Sequence, residues 1–295
     1  MKQFLCAAIL IAAASFPLSA IEEVLVQADE LDTRNDHSSV IELLSDTLPT
    51  VSAADERAEV LWRLSRAMLG YGDEQEEAGA SESELLDIFQ QGEDYGAEAV
   101  ESNPDIVEGY FWQSGNIGRW GQTKGVLDSL FRASEMRDIL SAAIEIDSDH
   151  ADSYFVLSQL YAAVPGFISF GNSDYAVSLA RKSIVLMEDE VADGQRDSIA
   201  YDFYNKLAEA LAARGWSQRK RDREHSRKAA DYREADTPLE QGWYYEGTIS
   251  IPPMSDQSEA EMLLNDVILQ IERMPEPGEE DQTDLETARE LLESL

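Results

Sequence analysis

The chain carries few residues suited to covalent chemistry. Its one cysteine, Cys6, lies in an apolar leader, and its three histidines, His37, His150 and His225, stand far apart in the sequence. None of them is in metal-ligand spacing with another His or Cys, so no metal site is expected. Each histidine reads instead as a residue that caps or decorates a helix end. No Gly-rich phosphate loop and no Gly-x-Ser-x-Gly elbow is present. Residues 119–125, Arg-Trp-Gly-Gln-Thr-Lys-Gly, have the composition of a phosphate loop but lack the upstream strand and the spaced glycines. Carboxylate pairs abound, yet 59 acidic residues guarantee such coincidences. The expectation is a protein without catalytic residues or a cofactor.

Binding chemistry is better represented. Residues 214–233 hold Arg214, Arg219, Lys220, Arg221, Arg223, Arg227, Lys228 and Arg233, eight of the 23 basic residues in the chain. Against a formal net charge of −36 this is a local reversal of sign. It reads either as a solvated helix face paired with nearby carboxylates or as a docking patch for an acidic partner, with Arg219, Lys220, Arg221 and Arg223 at its centre. Nucleic acid is disfavoured as that partner, because the summed field of the protein repels it.

The elements that must position these residues are helices. Apolar residues recur at intervals of three and four, and strand-like alternation is nearly absent. A longer period of ~34 residues also shows, that of the tetratricopeptide helix pair. Such a pair has large residues on its first helix and small ones on its second where the two cross, because close-packed helices leave no room for bulk at the crossing. Tyr154, Leu157, Ser158 and Tyr161 fit the first helix of one unit, and Ala176, Ala180 and Ser183 its second, joined by a connection longer than the standard one. Tyr204, Leu207, Ala208 and Leu211 repeat the first-helix spacing. Residues 143–148 read as the end of an earlier second helix, and Gly92, Ala99 and Pro104 as the end of the one before. Leu61, Leu64, Ser65 and Met68 supply the first helix of that earlier unit, and residues 24–31 and 40–48 a degenerate leading pair. The fold class expected is therefore all-α, a tetratricopeptide-like α-solenoid of four to five helix pairs, with an irregular helical bundle as the alternative. Residues 70–84 read as an acidic exposed loop and residues 237–256 as an extended strap. Helices follow at about 257–273 and 282–294, separated by Pro275, Pro277 and Gly278. The organisation expected is a leader over 1–20, a repeat domain over 21–236, and a C-terminal strap with two helices over 237–295.

In this register the concave face of the first helices is assigned to Trp62 and Arg66, then Trp112, Asn116 and Arg119, then Phe155 and Gln159. The aromatic residues would form an apolar wall and the arginines would pin an anionic head group. The competing reading makes the aromatics packing between repeats and the arginines partners in internal ion pairs.

A hydrophobic content of 43% is enough to bury a core, which sets the chain apart from acidic disordered sequences. Residues 1–20 begin with Lys2, continue through an apolar run and end on Leu18-Ser19-Ala20, the pattern of a secretory signal cleaved after Ala20. Ile21 stands where a lipidated cysteine would follow. The expected product is periplasmic or secreted, without a lipid anchor and without disulfides. The high acidity is also what a saline habitat selects.

The runs Glu108-Gly109-Tyr110-Phe111-Trp112, Asn116 to Gly125 and Val164-Pro165-Gly166-Phe167-Ile168-Ser169-Phe170-Gly171-Asn172 resemble the tetratricopeptide component that accompanies bacterial TRAP (tripartite ATP-independent periplasmic) transporters, the TatT family. A more distant likeness to the regulators of microtubule dynamics lies in the same helices. The resemblance implies a periplasmic, non-enzymatic homo-oligomer, a trimer. It would bind the substrate-binding protein of a TRAP transporter and hold a hydrophobic or carboxylated ligand in a central channel. The alternative is a general periplasmic scaffold that binds extended protein segments in its concave groove and has no role in transport.

Overall fold

Local chemistry sets where each helix begins. The Ser81 hydroxyl accepts a hydrogen bond from the Glu84 amide while the Ser81 amide donates to the Glu84 carboxylate, a capping box that starts a helix at Glu82. Asn172, Ser217, Thr237 and Ser255 cap later helices by accepting from first-turn amides, without the reciprocal bond. Gly215 ends another with φ 62°, the left-handed conformation that glycine adopts without penalty. The computed structural model describes residues 20–167 and 169–295, with the side chains of residues 126–129 set aside; the leader, with Lys2 and Cys6, lies outside this range.

Thirteen α-helices result among the described residues: α1 (Ala20–Asp32), α2 (His37–Thr47), α3 (Ala54–Glu77), α4 (Glu82–Ser102), α5 (Val107–Lys124), α6 (Val126–Ile146), α7 (Ala151–Ala163), α8 (Ser173–Ala192), α9 (Asp202–Arg214), α10 (Gln218–Glu234), α11 (Pro238–Tyr244), α12 (Asp256–Glu272) and α13 (Glu279–Ser294). Each odd-numbered helix from α1 to α7 packs along the helix that follows it, and α3 also touches α5 and α7 touches α9. Pairs stacked so that first helices meet first helices make an α-solenoid. The chain is all-α in its described residues, in agreement with the sequence.

The crossings are lined by small residues, as the spacing requires. Ala176, Ala180 and Ser183 are buried on α8 against α7. At the α4–α5 crossing a Cβ on Gly96 would stand 2.9 Å from the backbone nitrogen of Gln113, so only glycine lets these helices approach. One apolar cluster joins Val40, Leu44, Val60 and Leu64 at the N-terminal end. A larger one runs from Leu140 and Tyr154 through Leu179 and Leu207 to Val267 and Ala288.

Two expectations change, and one pairing is new. Residues 70–84 are mostly helical: α3 continues to Glu77 because Glu, Gln and Ala favour helix, and only Gly79, at φ 83°, turns the chain. Residues 237–256 begin as helix α11, which Pro238 starts at its first turn, and continue as a 3₁₀ turn, Tyr245–Thr248; only 249–255 are irregular. Finally, the main partners of α9 are α12 and α8 rather than its sequence neighbour α10, which packs on α11 and the 3₁₀ turn. The last pair of the solenoid is thus closed by a helix more than forty residues downstream.

Candidate functional site

Helix α10 has two faces, and they differ in every respect. Arg221 and Lys228, seven residues apart, point inward and are 2% and 1% exposed. Arg219, Arg223 and Arg227, four residues apart, point outward and are exposed. The inward pair joins Arg181 of α8 and Arg214 of α9 in a buried ionic knot. Arg214 donates Nε to Asp256 at 2.8 Å and Nη1 to Glu246 at 2.7 Å. Arg181 donates Nη1 and Nη2 to Glu259 at 2.9 and 2.7 Å and Nε to Glu246 at 3.0 Å. Arg221 bonds Glu259 and, at 2.7 Å, the Met254 carbonyl. Lys228 donates to Glu246 at 2.7 Å and pairs with Asp174. Trp216 covers the knot, with Arg214 4.3 Å and Lys220 4.2 Å from its ring. Burial would raise the pKa of Glu246, but bonds and charge from Arg214, Lys228 and Arg181 outweigh it and hold the carboxyl far below the usual carboxylate range.

The sequence reading of the basic patch is therefore corrected at Arg221. It is structural: a side chain this buried, with both ends of its guanidinium engaged, is not available to a partner. Arg219, Lys220 and Arg223 remain on the outer side, with Arg223 and Arg227 both bonded to the one carboxylate of Glu224. Arg181, Glu246, Asp256 and Glu259 were missed because their partners lie 18 to 78 residues away. The split of α10 itself was readable, since positions seven apart share a face and positions two apart do not.

The concave-face residues are dispersed. Asn116 is fully buried, donating Nδ2 to the Ser65 carbonyl at 3.0 Å and to Trp112 O at 2.9 Å. Together with the Ser65 hydroxyl, which bonds Gly92 O at 2.7 Å, it ties α3, α4 and α5 together. It cannot touch a ligand, because the helix crossing seals it. Trp62 and Trp112 share one small apolar cluster. Phe155 is elsewhere, stacked on Phe203 of α9 at 4.0 Å, so no continuous aromatic wall forms. Gln159 lines a groove of about 230 Å³ between α7 and α9, beside Ser158, Ala162, Lys206 and Ala210.

Both arginines already hold carboxylates. Arg119 donates to Asp73 and Glu76 of α3, each at 2.6 Å. Arg66 donates to Asp29 of α1 at 2.8 Å and pairs with Asp32 at 3.1 Å. A cleft of about 770 Å³ at the α6–α7 turn is lined by Asp147, Asp149, Asp152, Asp189, Glu190 and Asp193, with Arg196 bonded to Asp152 and Glu190. No group of His, Cys, Asp and Glu among the described residues is arranged to hold a metal. No described helix is long and apolar enough to cross a membrane.

The family model described as regulator of microtubule dynamics protein 1-3 matches residues 24–164, from α1 to the end of α7. Among solved structures, the chain is similar to a thermophilic TPR protein in Thermus thermophilus, with a TM-score of 0.49 and 14% identity over 78% of this chain and 100% of that one. Comparison with curated proteins gives no match.

Proposed function

We propose that this protein is an exported, non-enzymatic helical-repeat scaffold that accompanies a TRAP-type solute transporter and docks its substrate-binding protein. The resemblance of residues 108–125 and 164–172 to the transporter-associated family motivates the transport role. The observation that carries the docking role is the outer face of α10, where Arg219, Arg223 and Arg227 stand exposed on a chain of net charge −36. A cationic face on such a surface steers an acidic partner towards it. The ligand half of the reading gives an apolar-tailed organic acid Trp62 and Trp112 for its tail and Arg66 or Arg119 for its head. Since both arginines hold carboxylates of the chain itself, that ligand binds by displacement.

The test is association with a substrate-binding protein captured from the same periplasm, followed against salt. The Debye length falls from ~10 Å at 0.1 M to ~3 Å at 1 M, so a charge-steered association slows over that range. Changing Arg219, Lys220 and Arg223 to Ser, with Arg221 left intact, is expected to lower the association rate and flatten the salt dependence. Binding indifferent to both salt and these changes would remove α10 from the interface.

The groove between α7 and α9 favours the second reading, a general scaffold for extended segments. Gln159 and the Lys206–Glu209 ion pair supply polar groups there beside the small residues that leave the space. A scaffold of that kind would capture unrelated extended peptides as readily as a substrate-binding protein.

A further inference from the structure

The N-terminal pair sits on α3 in two ways, α2 through the buried Val40 and Leu44 and α1 largely through charge. Ala28 is the only fully covered residue of α1. Around it, Asp29 accepts from Arg63 Nε and Nη2, both at 2.9 Å, and from Arg66 Nη2 at 2.8 Å. Asp32, three residues on and so on the same face, reaches Arg66 Nε at 3.1 Å. Both guanidiniums lie over the ring of Trp62, at 4.1 and 5.1 Å from its centroid. Trp62 Nε1 and Arg63 Nη1 bind Glu59, at 2.9 and 2.6 Å, so two of these side chains are positioned by α3 itself. Two forked donors backed by an indole form a receptor for a pair of carboxylates one helical turn apart. In the folded chain α1 fills it.

His37, the first residue of α2, controls how firmly. Its ring rests on Gly70 of α3, where any Cβ would run into the imidazole. Nδ1 is 3.5 Å from Asp32 and Nε2 is 3.8 Å from Glu74 of α3. These contacts are too long for directed hydrogen bonds and act through charge, so they hold only while the ring is protonated. Asp32 Oδ1, His37 Nδ1 and Arg66 Nε are all buried without a well-formed hydrogen bond, against Arg221 Nε alone in the knot around Glu246. The groups facing His37 are Asp32 from α1, Glu74 and Arg66 from α3. The two carboxylates favour its charged form, and Arg66 opposes it.

We infer that α1 is a proton-sensitive latch over a two-arginine receptor, held down by His37 of α2, and that losing the His37 proton opens Arg63 and Arg66 to an acidic segment carrying two carboxylates a helical turn apart. This deepens the reading of Arg66 as a carboxylate receptor and is independent of the docking role of α10. The sign follows from the balance of neighbours. Asp32 first, and then Glu74, raise the pKa of His37 above its ordinary value of 6.5 despite burial, which lowers it. A group whose pKa is raised by folding contributes stability that is complete below the unfolded value and is lost as pH rises through the folded one. The latch is therefore closed in mild acid and loosens above neutrality.

The test uses the full chain, with hydrogen exchange of the α1 amides corrected for the intrinsic chemical rate at pH 5.5 and 8.5. Protection of α1 is expected to fall about tenfold between the two, while α8 and α12 keep theirs. In His37→Gln the α1 amides should show the low protection at both pH values. A labelled peptide of residues 20–34, which lacks His37, probes the receptor directly. Because apparent affinity scales with the open fraction, it should bind about tenfold more tightly at pH 8.5 than at 5.5, and Arg63→Gln with Arg66→Gln should abolish it. Protection of α1 that ignores pH, or that keeps the parental pH dependence in His37→Gln, overturns the latch. A peptide that fails to bind at pH 8.5 overturns the receptor. Neither result touches the salt-dependent association assigned to α10.

Discussion

The two ends of the solenoid are both fastened by arginine and carboxylate, yet in opposite regimes. At the C-terminal end Arg181, Arg214, Arg221 and Lys228 meet Glu246, Asp256 and Glu259, and none of these side chains is more than 8% exposed. At the N-terminal end Arg63 and Arg66 meet Asp29 and Asp32 with one carboxylate 41% exposed. The difference teaches that pairing chemistry does not fix mechanical role; dielectric surroundings do. Buried charges cannot be separated without stranding one of them in a low-dielectric interior. Charges with one partly exposed partner cost less to separate, because water can reach the freed carboxylate. The first arrangement suits a permanent closure and the second an element that moves.

The largest expected effect comes from breaking the knot. Glu246→Ala would leave Arg181, Arg214 and Lys228 short of a shared carboxylate and should cost about 3–5 kcal/mol, read from the midpoint of denaturant unfolding. A change below 1 kcal/mol would show that water reaches the site and would erase the contrast between the ends. Next comes the apolar part of the same region. Ala180→Phe would overpack the α7–α8 crossing and should cost about 1–3 kcal/mol, seen as a lower Tm. An unmoved Tm would mean that this crossing has room that its full burial denies.

A pH test sharpens the comparison further. Asp284 of α13 is pushed up to about 6, first by burial and then by the charge of Asp202, with Asp281 adding to it. Its folded-state pKa lies above the ordinary carboxylate value, so its protonated form is the stable one and stability falls as pH rises towards and past 6. Asp284→Asn should therefore raise Tm at pH 7.5 relative to the parent and lose that advantage at pH 4. An equal effect at both values would show that the like-charge contact with Asp202 is not what destabilises the end of the chain.

The smallest effect is expected at the N-terminal clamp. Asp29→Asn should cost only about 0.2–1 kcal/mol of global stability, and less in high salt. Its mark should be local, as faster hydrogen exchange confined to α1. A loss as large as that of Glu246→Ala would place both ends in one regime.

Much of this was legible in the sequence. The periodicity of 3.6 and the small residues Ala176, Ala180 and Ser183 prescribe a crossing helix pair whatever surrounds them, because sterics between adjacent helices are decided within some thirty residues. Capping residues likewise set most helix starts locally. The spacing along α10 even divides its basic residues into two faces. What the sequence could not supply was which face turns inward, since that depends on α11, the 3₁₀ turn and α12 folding back across it. The same holds for the concave face: the register placed Trp62, Arg66, Asn116 and Arg119 correctly on first helices, but not their neighbours. Asn116 became a sealed crossing residue and Arg66 acquired carboxylates from α1, thirty-seven residues away. Helix formation and pairing rest on contacts close along the chain and are written in local spacing. The fate of a charged side chain rests on what desolvates and neutralises it, and in this protein those partners are delivered only by the tertiary fold.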